Sequence, residues 1–295
     1  MSFSQQVKNE LLKNEYENAC CEKALLYGMC IFSKSFSNFE IAMQSENEDI
    51  AKLYGSLLEK FCNIKAEVKT SPGGKTHSIT IEKKSECDKI LSYFGHNSAG
   101  SLKINHSNFD CENCQHALLA GAFLSCGTVS DPKKDYHLEF TVPFLNLSKS
   151  LVTLLEELDL SPKTTNRKGY NIVYFKDSEA IEDCLYIMGA VSSMFDMMNV
   201  EIVKDFRNKA NRTANCEAAN IEKTVKASWQ QSAAIEKIEE AKGLDYLNDD
   251  LKAMAILRQE NPEASLNDLA KLSGLSRSGV NHRLKKIVEI AGQIE

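Results

Sequence analysis

One stretch of this chain recurs, recognisably, 93 residues later. Ala24-Leu25-Leu26-Tyr27-Gly28 is matched by Ala117-Leu118-Leu119-Ala120-Gly121. At the same offset, Ser78-Ile79-Thr80-Ile81-Glu82 is matched by Asn171-Ile172-Val173-Tyr174-Phe175, and the helical pattern Ser85 to Gly95 by Ser178 to Met188. Chance produces one matching pentapeptide; three anchors at one offset indicate duplication. Between them both halves show a short alternating strand (Asn38 to Met43; Tyr136 to Val142) and an amphipathic helix (Asp49 to Cys62; Leu145 to Leu158). A hairpin follows, broken at Ser71-Pro72-Gly73-Gly74 and at Asn166-Arg167-Lys168-Gly169. Each unit therefore reads helix–β–β–helix–β–β–helix. One unit alone leaves a sheet face unpacked, whereas two related by a pseudo-two-fold axis share a core. The expected class is α+β: a duplicated αββαββα domain followed by an all-α domain.

The first helix of each unit carries small residues. Gly121, Ala122 and Ser125 let another backbone come close, and Gly28 is the twin of Gly121. An ordinary buried helix with a small-residue stripe is the plainer reading of either one. As a pair they are expected to cross at a pseudo-dimer interface.

Composition narrows the class. With 43% apolar and 26% charged residues the chain is ordinary for a globular protein, not disordered, collagen-like or a disulfide mini-scaffold. The longest nearly uninterrupted apolar stretch, Ala24 to Phe32, is half of what a membrane span needs. Met1-Ser2-Phe3-Ser4-Gln5-Gln6 shows neither a basic nor an apolar leader region, so no secretory signal is expected. Ten cysteines lack framework spacing and read as reduced cytoplasmic thiols. A net charge of −6 argues against indiscriminate nucleic-acid coating but says little about a local basic face.

The nonapeptide Leu119 to Gly127 resembles the signature helix of LAGLIDADG homing endonucleases, and the element order is that family's repeat. The resemblance implies a metal-binding acid at the eighth motif position. Cys126 stands there in the second copy and Ser33 in the first; the sixth positions are Leu124 and Ile31. A double-strand nuclease needs carboxylates to hold Mg²⁺ beside the scissile phosphates. The expectation is a non-enzyme that keeps the scaffold, with a metal-dependent endonuclease as the disfavoured alternative.

A second resemblance spans the chain. Gly121-Ala122-Phe123-Leu124, then Gly127-Thr128-Val129-Ser130-Asp131-Pro132 and Tyr136-His137-Leu138-Glu139, resemble the WhiA family of bacterial regulators. So do Asn211 to Asn220 with Lys223-Thr224, Ser276 to Leu284, and the opening Ser2 to Leu11. The family commonly has a second glycine where this chain has Cys126, a small side chain that a packed helix tolerates. The resemblance implies a DNA-binding transcription regulator with a degenerate LAGLIDADG domain and a helix-turn-helix. It implies roles in cell division, chromosome segregation and, in sporulating lineages, sporulation. The implied partners are double-stranded DNA at promoter sites and other transcription regulators or RNA polymerase, without a membrane, in the cytoplasm at the nucleoid. A protein-binding adaptor built on an inactive nuclease scaffold is the rival from another class.

The C-terminal region suggests a DNA reader without help from any family. Leu247 to Arg258 is an amphipathic helix stopped by Asn261-Pro262. Ser265 and Asp268 have capping-box spacing, and Gly274 suits a left-handed turn after the helix Leu266 to Leu272. Ser276 caps the next helix, whose buried stripe is Val280, Leu284 and Ile287. Its other arc offers Arg277, Ser278, Asn281, His282, Arg283, Lys285 and Lys286. Asn281 and Lys285 suit base edges, and Arg277 and Arg283 suit phosphates. A small helical bundle with a solvated basic face is the plainer reading. Positive charge without an acid from Ser276 to Lys286, in an acidic chain, favours phosphate contact.

The expected domains are 1–105 and 106–203 for the two halves, 204–243 for a basic helical linker, and 244–295 for the helix-turn-helix. In the linker Arg207, Arg212 and Lys223 are candidate DNA contacts, and Lys226 to Ala241 reads as a long polar helix. The dense asparagines Asn208, Asn211, Asn215 and Asn220 suit capping, inter-domain bonds or DNA backbone contact. No cofactor and no catalytic residue is expected, and His137 reads as structural. Cys111-Glu112-Asn113-Cys114, near His106 and His116, is half of a zinc spacing; with no second C-x-x-C, no metal site is expected.

Overall fold

The structure is a computed structural model that describes residues 1–97 and 100–294. It divides into two compact units, Met1–Lys204 and Asp205–Glu295. The first opens with α1 (Phe3–Leu11), started by a Ser2/Gln5 capping box. The first repeat then runs α2 (Ala19–Ile31), β1 (Ser35–Phe36), β2 (Ile41–Ser45), α3 (Glu48–Cys62), β3 (Lys69–Thr70), β4 (His77–Ile81) and α4 (Lys84–Tyr93). The second runs α5 (Asn113–Cys126), β5 (Gly127–Val129), β6 (Leu138–Val142), α6 (Leu145–Glu157), β7 (Lys163–Arg167), β8 (Tyr170–Phe175) and α7 (Ser178–Met188). The αββαββα order is therefore present twice. Each repeat folds as a four-stranded antiparallel sheet with the same topology, β1-β2-β4-β3 and β5-β6-β8-β7.

The core sits around α2 and α5, which are apolar on nearly every side because each is surrounded. They meet through the two expected glycines. A Cβ added to Gly28 would lie 2.2 Å from the Leu118 carbonyl oxygen, and one added to Gly121 would lie 2.2 Å from that of Leu25. Both obstacles are backbone and cannot rotate away. The contact is reciprocal, as a two-fold axis requires.

The hairpins explain why the offset of 93 fits the ends of the repeat but not its middle. The β1–β2 loop has four residues (37–40) and the β5–β6 loop eight (130–137), so the following strand and helix are displaced by four. The next hairpin restores the register: six loop residues (71–76) in the first repeat become two (168–169) in the second. Lys168 and Gly169 both have positive φ, the signature of a tight type I′ turn.

The helix α8 (Val191–Lys242) starts in the first unit and ends in the second. The segment expected as a helical linker, 204–243, is the greater part of this one helix and reaches its end. In the second unit its last turns pack Ile235 and Ile238 into a small core with α9 (Asp249–Glu260), α10 (Leu266–Ser273) and α11 (Arg277–Gly292). Met254, Leu269, Val280, Leu284 and Ile287 complete that core. Its least expected member is Arg258, 2% exposed, whose guanidinium donates to the carbonyls of Ala264 (2.7 Å) and Asn261 (3.3 Å) and to Ser228 Oγ (3.4 Å). Arg258 thereby ties α8 and α9 to the loop that leads into α10.

Candidate nucleic-acid interface

The helix pair α10–α11 is built by local rules that the sequence displays. Ser265 and Asp268 form the capping box of α10, and Gly274, at φ 69°, closes it. Ser276 then accepts from the Gly279 N–H to start α11. Val280, Leu284, Ile287 and Ala291 bury one stripe of α11, which leaves the other side to solvent. Ser278, Asn281, His282 and Lys285 share that outer arc, with Arg277 and Lys286 at its borders. Among the described residues, no side-chain partner engages Arg277, Asn281, His282, Lys285 or Lys286; Ser278 meets the Ser276 hydroxyl at 3.0 Å. Arg283 differs. It lies against the start of α9, where it pairs with Asp250 at 3.2 Å and is only one-quarter exposed.

On α8 the three candidate cations do not share one face. At about 100° per residue, Arg212 and Lys223 fall within roughly 20° of each other, whereas Arg207 is about 140° from Arg212. The side of α8 that carries Arg207 also carries Ile221, Val225 and Trp229, all more than 60% exposed. Lys204 is engaged within the first unit, donating to the Pro132 carbonyl at 2.6 Å above the Tyr136 ring.

In the first unit the edge strands β3 and β7 are exposed at every residue, bringing Lys69, Lys163 and Arg167 to the sheet surfaces. Part of this charge is neutralised. Arg167 pairs with Glu139 at 2.5 Å, and His137 Nε2 lies 2.9 Å from the same carboxylate. Burial raises the Glu139 carboxyl, but these two partners outweigh it and hold the group below the ordinary carboxylate value. His137 is thus a structural partner of Glu139, as its strand position suggested.

The C-terminal ends of α2 and α5, where a LAGLIDADG nuclease carries its acids, converge on one groove. Ser33, Cys126, Lys34, Ser125 and Glu46 are among its lining residues. Ser33 shares its hydroxyl proton between the carbonyls of Cys30 (2.6 Å) and Ser35 (3.0 Å). Burial pushes the Cys126 thiol up to about 12 despite nearby Lys8, so it stays protonated. Lys8 itself donates to the Leu124 carbonyl at 3.3 Å, in the last turn of α5. At the two motif positions the groove floor presents a hydroxyl engaged internally and a neutral thiol, not a pair of carboxylates.

At the opposite, N-terminal ends of the same helices the structure gathers four thiols. Cys20 and Cys21 begin α2; Cys111 precedes α5 and Cys114 lies in its first turn. The Sγ atoms of Cys20, Cys21 and Cys114 lie 3.6, 3.5 and 3.6 Å from that of Cys111, and all four lie within 4.8 Å of one another. The first pair shows no C-x-x-C because its members are adjacent. The repeat offset held the missing signal, since Cys21 and Cys114 stand 93 residues apart like Gly28 and Gly121.

Two family models match the chain: "WhiA LAGLIDADG-like domain" over residues 115–207 and "WhiA C-terminal HTH domain" over residues 210–291. A protein of Alkaliphilus metalliredigens named "Probable cell division protein WhiA" is 35% identical, with 99% of this chain and 98% of the relative covered. One of the same name from Ruminiclostridium cellulolyticum is 36% identical, with 100% and 98% covered. Among solved structures, the "full-length DUF199/WhiA from Thermatoga maritima" matches with a TM-score of 0.61 at 22% identity, covering 100% of this chain and 99% of that one. The "N-terminal LAGLIDADG domain of DUF199/WhiA" matches 64% of this chain and 92% of that one, with a TM-score of 0.51 at 18% identity. The first shares the fold over the whole chain, and the second shares the fold of its N-terminal LAGLIDADG-like domain. The chain, similar over its full length to curated relatives of one name, belongs to the WhiA family.

Proposed function

We propose that this protein is a sequence-specific transcription regulator of the WhiA type that binds double-stranded DNA at promoter sites. In this reading it acts in cell division and chromosome segregation and, in sporulating lineages, in sporulation, in the cytoplasm at the nucleoid. One observation carries the proposal: the outer arc of α11 and its borders hold Arg277, Asn281, His282, Lys285 and Lys286 without side-chain partners among the described residues, on a helix whose other stripe is anchored in a core. Such a helix fits the major groove, with Asn281 and Lys285 facing base edges and Arg277 and Lys286 facing phosphates. Arg212 and Lys223, together on one side of α8, add phosphate affinity without sequence information. Arg283, paired with Asp250, serves the packing of α11 more than DNA. In the first unit, the groove floor supports a scaffold role without catalysis, and the sheet surfaces offer a secondary electrostatic contact.

The test is binding of the full chain to genomic fragments, followed by affinity measurement on the selected site and on a random duplex. Tight, salt-dependent and site-selective binding is expected. Equal affinity for both duplexes contradicts the regulator reading. Absence of DNA binding with capture of RNA polymerase or another regulator favours the adaptor instead.

A further inference from the structure

The four thiols at the N-terminal ends of α2 and α5 have no place in a DNA-binding role, and their arrangement is more specific than packing demands. The other buried cysteines engage different partners: Cys30 Sγ lies 3.4 Å from the Tyr54 hydroxyl, and the Cys87 thiol donates to the Ile81 carbonyl at 3.3 Å. Cys20, Cys21, Cys111 and Cys114 instead converge from two segments about ninety residues apart. A regular tetrahedron around zinc with Zn–S bonds of about 2.3 Å has S···S edges of about 3.8 Å. The three separations to Cys111, 3.5 to 3.6 Å, are close to that edge and far above the roughly 2.05 Å of a disulfide.

We propose that Cys20, Cys21, Cys111 and Cys114 bind one zinc ion through four thiolates, clamping the two repeats together at the N-terminal ends of their central helices. Chemistry and position agree. Four soft sulfur donors in a tetrahedral set select zinc over hard divalent cations such as Mg²⁺. Binding is balanced by deprotonation: four thiols release four protons to solvent as four Zn–S bonds form, leaving a site of net charge −2. Two helix N-termini point their positive ends at that charge. The Cys114 N–H donates to the Cys111 carbonyl at 3.0 Å, fixing the tight turn that brings both sulfurs to one side. Cys20 and Cys111 are partly exposed, which gives the ion an entry path, while Cys21 and Cys114 are buried. Cys21 and Cys114 are also equivalents under the repeat, so the ion sits beside the pseudo-two-fold axis two helical turns from the Gly28–Gly121 contact.

The experiment uses the full chain, purified under reducing conditions without added metal. Elemental analysis is expected to find about one zinc per chain, released when a mercurial blocks the thiols. The metal-depleted protein, titrated with Co²⁺, should develop the intense sulfur-to-cobalt charge-transfer band and the visible bands of tetrahedral thiolate coordination; this reads the donor set without any variant. Cys111→Ser should lower zinc content at least tenfold, whereas Cys216→Ser, on the exposed middle of α8, should retain it. Iron in place of zinc, a Cys–Cys disulfide by mass spectrometry of the native protein, or Co²⁺ spectra without thiolate bands would each overturn the proposal. So would zinc content unchanged in Cys111→Ser.

Discussion

The groove floor of the first unit and the outer arc of α11 carry similar kinds of polar side chain and use them in opposite ways. At the floor, Ser33 donates to its own backbone neighbourhood and burial keeps Cys126 neutral, while Lys8, beneath the floor, donates to the end of α5. On α11, Arg277, Asn281, His282, Lys285 and Lys286 have no side-chain partner among the described residues. A donor already satisfied inside the fold gains little from a ligand, because the exchange breaks one hydrogen bond to make another. A donor that meets only water on a rigid, packed helix exchanges that water for the ligand without breaking any bond of the fold. The comparison therefore separates a scaffold from a reader, and each of the following results would sharpen or break it.

The largest effect is expected where the scaffold is least forgiving. Replacing Gly28 or Gly121 with valine places a Cβ against backbone at 2.2 Å, so a helix must move. The first unit should lose about 3 kcal/mol or more, the upper end of overpacking costs, read as a shifted denaturation midpoint. An unchanged midpoint would show that α2 and α5 do not approach as described.

Next come the base-reading candidates. Asn281→Ala and Lys285→Ala should each cost about 1–3 kcal/mol on the specific site and much less on random DNA. Smaller and different in kind are Arg212→Ala and Lys223→Ala. Each should weaken specific and random binding alike and reduce the salt slope by about 1. Arg207→Ala, on the side with Val225 and Trp229, should change the slope less. If the α8 variants instead alter sequence preference, the reader has been placed on the wrong helix.

Arg283→Ala should act mainly on stability, by about 0.2–1 kcal/mol, since its pair with Asp250 is largely surface-exposed on the aspartate side. The smallest effect belongs to the groove floor. Ser33→Ala and Cys126→Ala should leave DNA affinity unchanged, and the wild-type protein should not cut plasmid with Mg²⁺ or Mn²⁺. EDTA-sensitive linearisation by pure protein would show that the floor is catalytic after all.

Much of this architecture was legible in the residues, because duplication leaves a periodic trace and capping leaves a local one. The Gly28–Gly121 approach and the Ser265–Asp268 capping box both appear where the sequence placed them. The single offset of 93 concealed something, however. The middle of each repeat is displaced by four residues, and two hairpins of unequal length cancel, so only the ends align. The continuity of α8 was also hidden: the helical linker was expected from 204, whereas the helix starts at Val191 as part of the first unit, and its middle is exposed all round and rich in asparagine. The state of Arg283 depended on Asp250, thirty-three positions away, and Arg258 gave no sign of its burial. Most instructive is Cys20-Cys21. An adjacent pair has no ligand spacing of its own and becomes informative only beside Cys111 and Cys114, which the repeat offset hints at and the fold brings near.

One measurement tests the division between scaffold and reader most directly. Dissociation constants of the full chain, of Asn281→Ala and Lys285→Ala, and of Ser33→Ala and Cys126→Ala would be determined on the selected promoter site and on a random duplex at one fixed salt concentration. The ratio of the random-site constant to the specific-site constant should fall about 5- to 150-fold in the α11 variants, matching the 1–3 kcal/mol of a lost base contact, and stay at the wild-type value in the groove variants. A ratio that falls in the groove variants and survives in the α11 variants would contradict the account.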